Sequence, residues 1–202
     1  MNKLRIIVAL LAGVACTGKQ EPAVPQESTA ATPTRQSASC GDEVLTDEGI
    51  GQIRIGATVA SVREICTVVR DTTAIGAEGM PARKLAVALS RDTVEAEIVD
   101  GRVWRIGVLS PRLRTADSLG VGTPFVRLLR LRNPHGMTGE GEFFVASPEH
   151  CGMSFRLADA GPGARRGDLD SAGLARLPKS AVISEVLIFG CHLASSPGAG
   201  KS

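Results

Sequence analysis

The architecture of this chain is indicated by one segment, Ile53-Arg54-Ile55-Gly56-Ala57-Thr58-Val59-Ala60-Ser61-Val62-Arg63-Glu64-Ile65. Its pattern predicts a short strand or turn, then a glycine that can adopt a positive φ, then a helix with apolar residues at helical spacing. The pattern recurs downstream, where the corresponding residues are Leu119, Val121, Gly122, Phe125, Leu128 and Leu131. The sequence therefore predicts a twofold internal repeat, at about residues 47–110 and 115–191.

Antiparallel strands are predicted behind each helix, where apolar and polar residues alternate. The strands expected from this alternation are 67–74, 84–90, 93–99, 102–109, 141–147, 151–157 and 182–189. A helix followed by antiparallel strands, twice over, predicts an α+β fold in which one sheet carries the helices on one face. We expect a single α+β domain over residues 40–193.

The clearest hairpin turns around Asp100-Gly101. A two-residue turn at this pair would place Trp104 opposite Glu97, which mixes an apolar and a charged face. A three-residue loop that ends with Gly101 as a bulge instead pairs Ala96 with Trp104. The hydrophobic phase favours the three-residue loop and predicts that Trp104 lies in the core.

The N-terminus has the pattern of an export signal. A short basic head precedes an apolar run at residues 6–15, which at about 1.5 Å per residue is too short to span a bilayer. Residues 1–15 are therefore predicted to be a signal peptide. Cys16 directly follows Gly13-Val14-Ala15, and this arrangement resembles the lipobox of bacterial lipoproteins, which implies that Cys16 is lipidated. Ordinary secretion with cleavage after Ala15 is the alternative.

The residues that flank the domain have the composition of disordered chain. Residues 16–39 contain the anchor cysteine and then Pro, Ser, Thr and Gln with almost no large apolar side chain, and the tail 194–202 is similar. Thr17 follows the cysteine, and under the Asp-retention rule of bacterial lipoproteins this indicates the outer membrane. We expect an exported cell-envelope protein whose N-terminal lipid holds it at the outer membrane, facing the periplasm.

Composition argues against a nucleic-acid partner. The chain has 23 Lys and Arg against 21 Asp and Glu, and loss of Lys3 and Arg5 with the signal peptide leaves 21 against 21. Aromatic residues make up 3% of the chain, and Tyr is absent. A neutral chain with few aromatic rings offers neither attraction to phosphates nor a platform for stacking bases. We expect no nucleic-acid partner.

Four cysteines remain for structural roles in an exported protein, and this even number favours two disulfides. They are Cys40, Cys66, Cys151 and Cys191. Three pairings are possible. If Cys151 lies opposite Cys191 in an antiparallel strand pair, Phe155 falls opposite Leu187 and both strands bury one apolar face. This match of the two apolar faces supports a Cys151–Cys191 disulfide, with Cys40 joined to Cys66 at the end of the first helix.

The neighbours of two cysteines suggest a metal alternative. His150-Cys151 and Cys191-His192 together offer two thiolates and two imidazoles, a set that suits tetrahedral zinc. Adjacent residues of a strand point to opposite faces, however, and neither pair has the spacing of a metal knuckle. We therefore expect two disulfides, no metal site and no cofactor.

The glycine–helix–strand unit, behind a lipobox and a Pro-rich linker, is similar to a broad set of uncharacterised lipoproteins from GC-rich bacteria. More distantly, it resembles the repeats of β-lactamase-inhibitor-type proteins and of the small lipoprotein of the outer-membrane β-barrel assembly machinery. The resemblance implies a binding module without catalysis. The acidic residue common near the start of the family helix is Ser61 here, so no binding residue is transferred from the resemblance.

Two functions are consistent with these features. The first is a lipid-anchored, non-catalytic protein-binding or scaffolding module, whose partner is another envelope protein. Its candidate partner surface includes Arg127 and Arg130 on the outer face of the second helix. The alternative is an envelope metal-dependent hydrolase that uses His135, His150 or His192. The sequence has no G-x-S-x-G motif and its histidines are dispersed, so the binding function is preferred.

Overall fold

The computed structural model describes residues 40–75 and 81–194, all within one compact unit. The predicted signal peptide, Cys16, the linker and residues 195–202 of the predicted tail lie outside the described residues. In the described ranges, no helix has the length and apolar composition that crossing a membrane requires.

Strands dominate the described part of the chain. In chain order they are β1 (Val44–Thr46), β2 (Gly49–Ile50), β3 (Ile53–Arg54), β4 (Thr67–Ile75), β5 (Pro81–Ala88), β6 (Thr93–Val99), β7 (Arg102–Val108), β8 (Arg114–Thr115), β9 (His135–Gly139), β10 (Glu142–Ala146), β11 (Met153–Ala158) and β12 (Val182–Ile188). The α-helices are α1 (Val59–Ile65), α2 (Ser171–Leu174) and α3 (Cys191–Ala194). Short 3-10 helices lie at Phe125–Arg130, Pro148–His150 and Pro162–Arg166.

The strands form two sheets. The large sheet has eight strands in the order β4-β5-β6-β7-β12-β11-β10-β9, and every neighbouring pair is antiparallel. Two four-stranded meanders thus meet at their last strands, β7 and β12. The small sheet has four strands in the order β3-β2-β1-β8, and its β1–β8 pair is parallel.

The predicted α+β fold class is wrong, because the chain is mostly β. Helix α1 has only seven residues, and the second predicted helix is the six-residue 3-10 helix Phe125–Arg130. The β-branched run that starts at Thr67 favours extended backbone directly after α1. In the second copy, Pro134 disfavours helical backbone at Asn133. Helices this short cannot form a layer over an eight-stranded sheet.

The core lies against one face of the large sheet, which we call the inner face. Leu85, Ile106 and Phe155 on this face are fully buried. They belong to one cluster with apolar residues of the small sheet, α1 and the 3-10 helix, including Ile53, Val62 and Phe125. The small sheet and several short helices therefore contribute together to the cover that the prediction assigned to helices alone.

The β6–β7 hairpin differs from the predicted one. Asp100 and Gly101 have φ values of 50° and 72°, and they form a two-residue turn that pairs Val99 with Arg102. Such a turn matches the right-handed twist of the flanking strands. The register then shifts within the hairpin, so that Trp104 is the extra residue of a β-bulge. The bulge, and not a longer loop, brings the apolar residues of the two strands back onto the same face of the sheet.

The structure contains the disulfides Cys40–Cys66 and Cys151–Cys191, which are the predicted pairings. The strand register from which Cys151–Cys191 was predicted is nevertheless wrong by one residue, since Phe155 lies opposite Val186 and not Leu187. Val186 is buried on the inner face, whereas Leu187 is on the outer face. Cys191 begins α3 and lies beyond the end of β12, so its bond does not depend on the strand register.

Candidate functional site

An open groove lies beside the β6–β7 turn, where the end of β12 approaches the residues before α1. Its volume is about 410 Å³. We call it the Trp104 groove, and its apolar lining residues are Ile55, Val99, Val103, Trp104 and Phe189. A concave surface with aromatic and aliphatic walls is the usual form of a binding site in a protein of this size.

Two large apolar side chains of the Trp104 groove are exposed to solvent. Trp104 is 44% exposed and Val99 is 46% exposed. The bulge turns Trp104 out of the core, and the two-residue turn leaves Val99 at the end of β6. Because both side chains line the same groove, their exposure creates one apolar surface instead of two isolated residues.

Hydrogen bonds hold the walls of the Trp104 groove in place. The Arg102 guanidinium donates from Nη1 to the carbonyl oxygen of Gly56, at 2.9 Å. The backbone N–H of Cys191 donates to Glu48 Oε1, at 3.2 Å. Gly190 has a φ of 81°, and a Cβ there would lie 3.3 Å from Glu48 Oε2, so glycine suits this position. Arg102 and Glu48 are therefore engaged within the protein, while Asp100 and His192 also line a groove whose surface is mainly apolar.

The outer face of the large sheet has a different character. Cross-strand ion pairs cover it, with N–O distances of 2.9, 2.8 and 3.4 Å for Arg70–Glu95, Arg105–Glu97 and Arg156–Glu185. Burial raises the pKa of Glu185, although the charges of Arg156 and Arg105 oppose that rise. Opposite charges that satisfy one another leave this face with little apolar surface for a partner.

The predicted partner surface at Arg127 and Arg130 lies on the 3-10 helix and is exposed. Arg127 donates from Nη2 to the carbonyl oxygen of Asp117, at 3.1 Å. Burial alone would raise the pKa of Asp117, but hydrogen bonds from Thr115 and His150 outweigh it and lower that pKa. Neither arginine lines the Trp104 groove, and Arg127 helps to hold the Asp117 turn.

The structure places the three histidines of the hydrolase alternative in different surroundings. His135 begins β9 and is exposed. His150 lies with Nε2 3.3 Å from Asp117 Oδ2 and packs edge-on against Phe155. His192 lines the Trp104 groove. In residues 40–75 and 81–194, these histidines do not form a cluster of metal-ligand spacing.

The zinc alternative loses its thiolates, because Cys151 and Cys191 are bonded to each other. Their sulfurs and a carboxylate oxygen of Asp47 lie within 4.8 Å of one another. A disulfide sulfur is not the thiolate that binds zinc. The Asp47 carboxylate instead accepts a hydrogen bond from the backbone N–H of Gly152, at 3.2 Å.

Sequence reasoning missed the Trp104 groove because it assigned Trp104 to the core. The Asp-Gly pair carried the necessary signal, since it is the preferred dipeptide for a two-residue hairpin turn. With that turn, Trp104 no longer faces the inner side of the sheet. The bulge at Trp104 then returns the rest of β7 to the alternation in which its apolar residues face the core.

No protein-family model and no curated protein sequence matches this chain. Its fold is similar to the crystal structure of the uncharacterized protein yfeY from Escherichia coli, with a TM-score of 0.54 and 16% sequence identity. The similarity covers 72% of this chain and 98% of that chain. At this identity the likeness concerns the fold, and a shared fold does not assign an activity to the groove.

Proposed function

We propose that this protein is a lipid-anchored, non-catalytic binding module of the bacterial cell envelope. Its partner is another envelope protein, which inserts an apolar side chain into the Trp104 groove. Cys16 carries the lipid, and the linker up to residue 39 gives the domain reach above the membrane.

The exposure of Trp104 in an apolar groove is the observation that carries the binding proposal. Tryptophan is enriched among the few interface residues that dominate binding energy, and such residues cluster in well-packed pockets from which binding excludes water. The groove volume of about 410 Å³ accommodates a large side chain with part of its flanking backbone. Because the lining surface is mainly apolar, apolar complementarity is the main source of affinity in this proposal.

Two features support export and anchoring. Disulfides form and persist in oxidising compartments, and this chain contains two of them. Cys16 follows a small-residue cleavage pattern, as in bacterial lipoproteins. Tethering to a membrane raises the local concentration of a binding domain near an envelope partner, so even a small groove can be effective there.

Replacement of Cys16 with Ser is expected to release the protein from the membrane. The wild-type chain should fractionate with membranes and have the mass of a diacylated N-terminal cysteine. The Cys16→Ser chain should be soluble, because it has no residue to accept the lipid. Membrane fractionation with intact-mass measurement tests this, and an unmodified, soluble wild-type chain contradicts the anchor.

Replacement of Trp104 with Ala is expected to weaken partner binding about thirtyfold, since truncation of a hot-spot tryptophan costs about 2 kcal/mol. Crosslinking of the anchored, full-length chain in its native envelope identifies the partner. Leu109→Ala is the matched control, because Leu109 is also apolar and 59% exposed but lies outside the groove.

Trp104 also reports binding directly, because it is the single Trp in a chain without Tyr. Partner insertion should shift its fluorescence emission to shorter wavelength as the indole leaves water. The binding proposal is wrong if Trp104→Ala and Leu109→Ala crosslink equally, or if saturating partner leaves the emission of Trp104 unchanged.

A further inference from the structure

The two edge strands of the large sheet, β9 and β4, differ in how far other segments of the chain cover them. At the β9 edge, Gly136 and Leu169 exchange backbone hydrogen bonds of 2.7 and 2.9 Å, and the Thr138 hydroxyl donates to the carbonyl of Ala164. The segment after β11 therefore covers β9. At the opposite edge, β4 pairs with β5, and in the part of the chain that the structure describes no backbone group covers its other side.

The open edge has the features of a pairing surface. With nine residues, β4 is the longest described strand, and its exposed residues include Val69 at 58% and Ile75 at 71%. Native proteins usually blunt a long edge with charged side chains, lysine above all, or with a bulge. Here the two charges are engaged on their own sheet, Arg70 with Glu95 at 2.9 Å and Asp71 with Arg83 at 2.7 Å. A register shift near Val69 limits the regular part of the edge to the residues after it.

We propose that β4 pairs antiparallel with β4 of a second copy of this chain, about a twofold axis that passes through Thr72. A twofold axis normal to the sheet keeps the inner faces of both copies on one side and sets one residue opposite its own copy. The large sheets of both copies then join into one continuous sheet. The charge pattern of β4 selects the position of this axis.

Other axis positions bring unfavourable pairs together. An axis at Arg70 or at Asp71 places like charges directly opposite each other, which destabilises a strand pair. An axis at Thr73 places Asp71 opposite the apolar Ile75. An axis at Ala74 or Ile75 would pair no described residue of β4 before Thr73, so Thr72 is the position that avoids the unfavourable pairs and still pairs the strand from Arg70 to Ala74.

The axis at Thr72 also matches the exposed residues to one another. Thr72 faces its own copy, and Thr–Thr pairs are favourable across strands. Asp71 faces Thr73, and Arg70 faces the small Ala74. Arg70 and Asp71 keep their existing partners, Glu95 and Arg83, in this arrangement.

The paired surface is small beside the roughly 1,200 Å² that stable interfaces bury, so association in solution should depend on concentration. The full mature chain, in detergent if lipidated, should approach twice the monomer mass over roughly a hundredfold rise in concentration. Analytical ultracentrifugation measures this. Thr72→Lys puts two like charges at the axis and should keep the chain monomeric, whereas Thr72→Val should still dimerise.

Cysteine crosslinking tests the register. In the Thr72→Cys chain the two substituted residues lie about 5 Å apart between Cα atoms, within reach of a disulfide. In the Ile75→Cys chain the two copies of residue 75 lie about 20 Å apart, beyond that reach. Oxidation should crosslink Thr72→Cys at least about tenfold more than Ile75→Cys, with the unsubstituted chain as background.

The proposal is overturned if the chain stays monomeric at every concentration, if Thr72→Lys dimerises like wild type, or if both cysteine variants crosslink equally. Circular dichroism of each variant verifies that it is folded. Because β4 does not line the Trp104 groove, Trp104→Ala should dimerise normally, and failure of one proposal is distinguishable from failure of the other.

Discussion

The free energy of unfolding should fall by about 4 kcal/mol when Cys151 and Cys191 are both replaced with Ser. The bond joins residues 40 positions apart, and the chain-entropy description of disulfides predicts a loss of that size for such a loop. Urea denaturation followed by circular dichroism measures the change. The double substitution is used because a single one would leave a reactive free thiol.

The second disulfide is the matched control for this prediction. Cys40 and Cys66 are 26 positions apart, so their double Ser variant should lose slightly less, about 3.5 kcal/mol. The Cys151/Cys191 variant should also change the emission of Trp104, since α3 forms part of the groove wall. A loss below about 1 kcal/mol would mean that the bond does not constrain the unfolded chain as described.

Replacement of Phe155 with Ala should destabilise the protein by about 3–5 kcal/mol, the range measured for aromatic truncation in a packed core. Phe155 is fully buried in β11, where it lies opposite Val145 on β10 and Val186 on β12. The lost ring leaves a cavity that backbone in the middle of a sheet cannot collapse to fill. It also removes the edge contact with His150.

The same denaturation measurement applied to Leu109→Ala provides the comparison for Phe155→Ala. Leu109 is 59% exposed, so its truncation should change the free energy of unfolding by no more than about 0.5 kcal/mol. Similar losses in both variants would show that Phe155 is not part of the cooperative core.

Most strands could be predicted from the sequence because alternation of apolar residues is a local property. The segments for β4 to β7 and β10 to β12 all lie close to their predicted ranges. Strand β9 was missed because Asn133-Pro134-His135-Gly136 has the composition of a turn. It is a strand because β10 and Leu169 both bond to it, and Leu169 is distant in sequence.

The helices, unlike most strands, were not predicted correctly from the sequence. The apolar spacing of the 53–65 segment and its second copy fits a helix, but this spacing does not determine helix length or type. In the folded chain, α1 ends at Ile65, beside the Cys40–Cys66 bond, and the second copy adopts 3-10 geometry. Isolated helices of this length are marginal, so packing determines whether and how they form. The predicted layer of helices was wrong for this reason.

By itself, the sequence determined where strands alternate and which N-terminal pattern predicts export and a lipid at Cys16, and it favoured the cysteine pairing that the structure contains. Only the tertiary structure decided the meeting of β7 with β12, the covered β9 edge, the open β4 edge and the exposure of Trp104. The alternation of apolar and polar residues is a property of neighbouring positions in the sequence. Register, bulges and edge cover depend on contacts between segments far apart in the chain, and a one-residue shift moves a side chain to the other face.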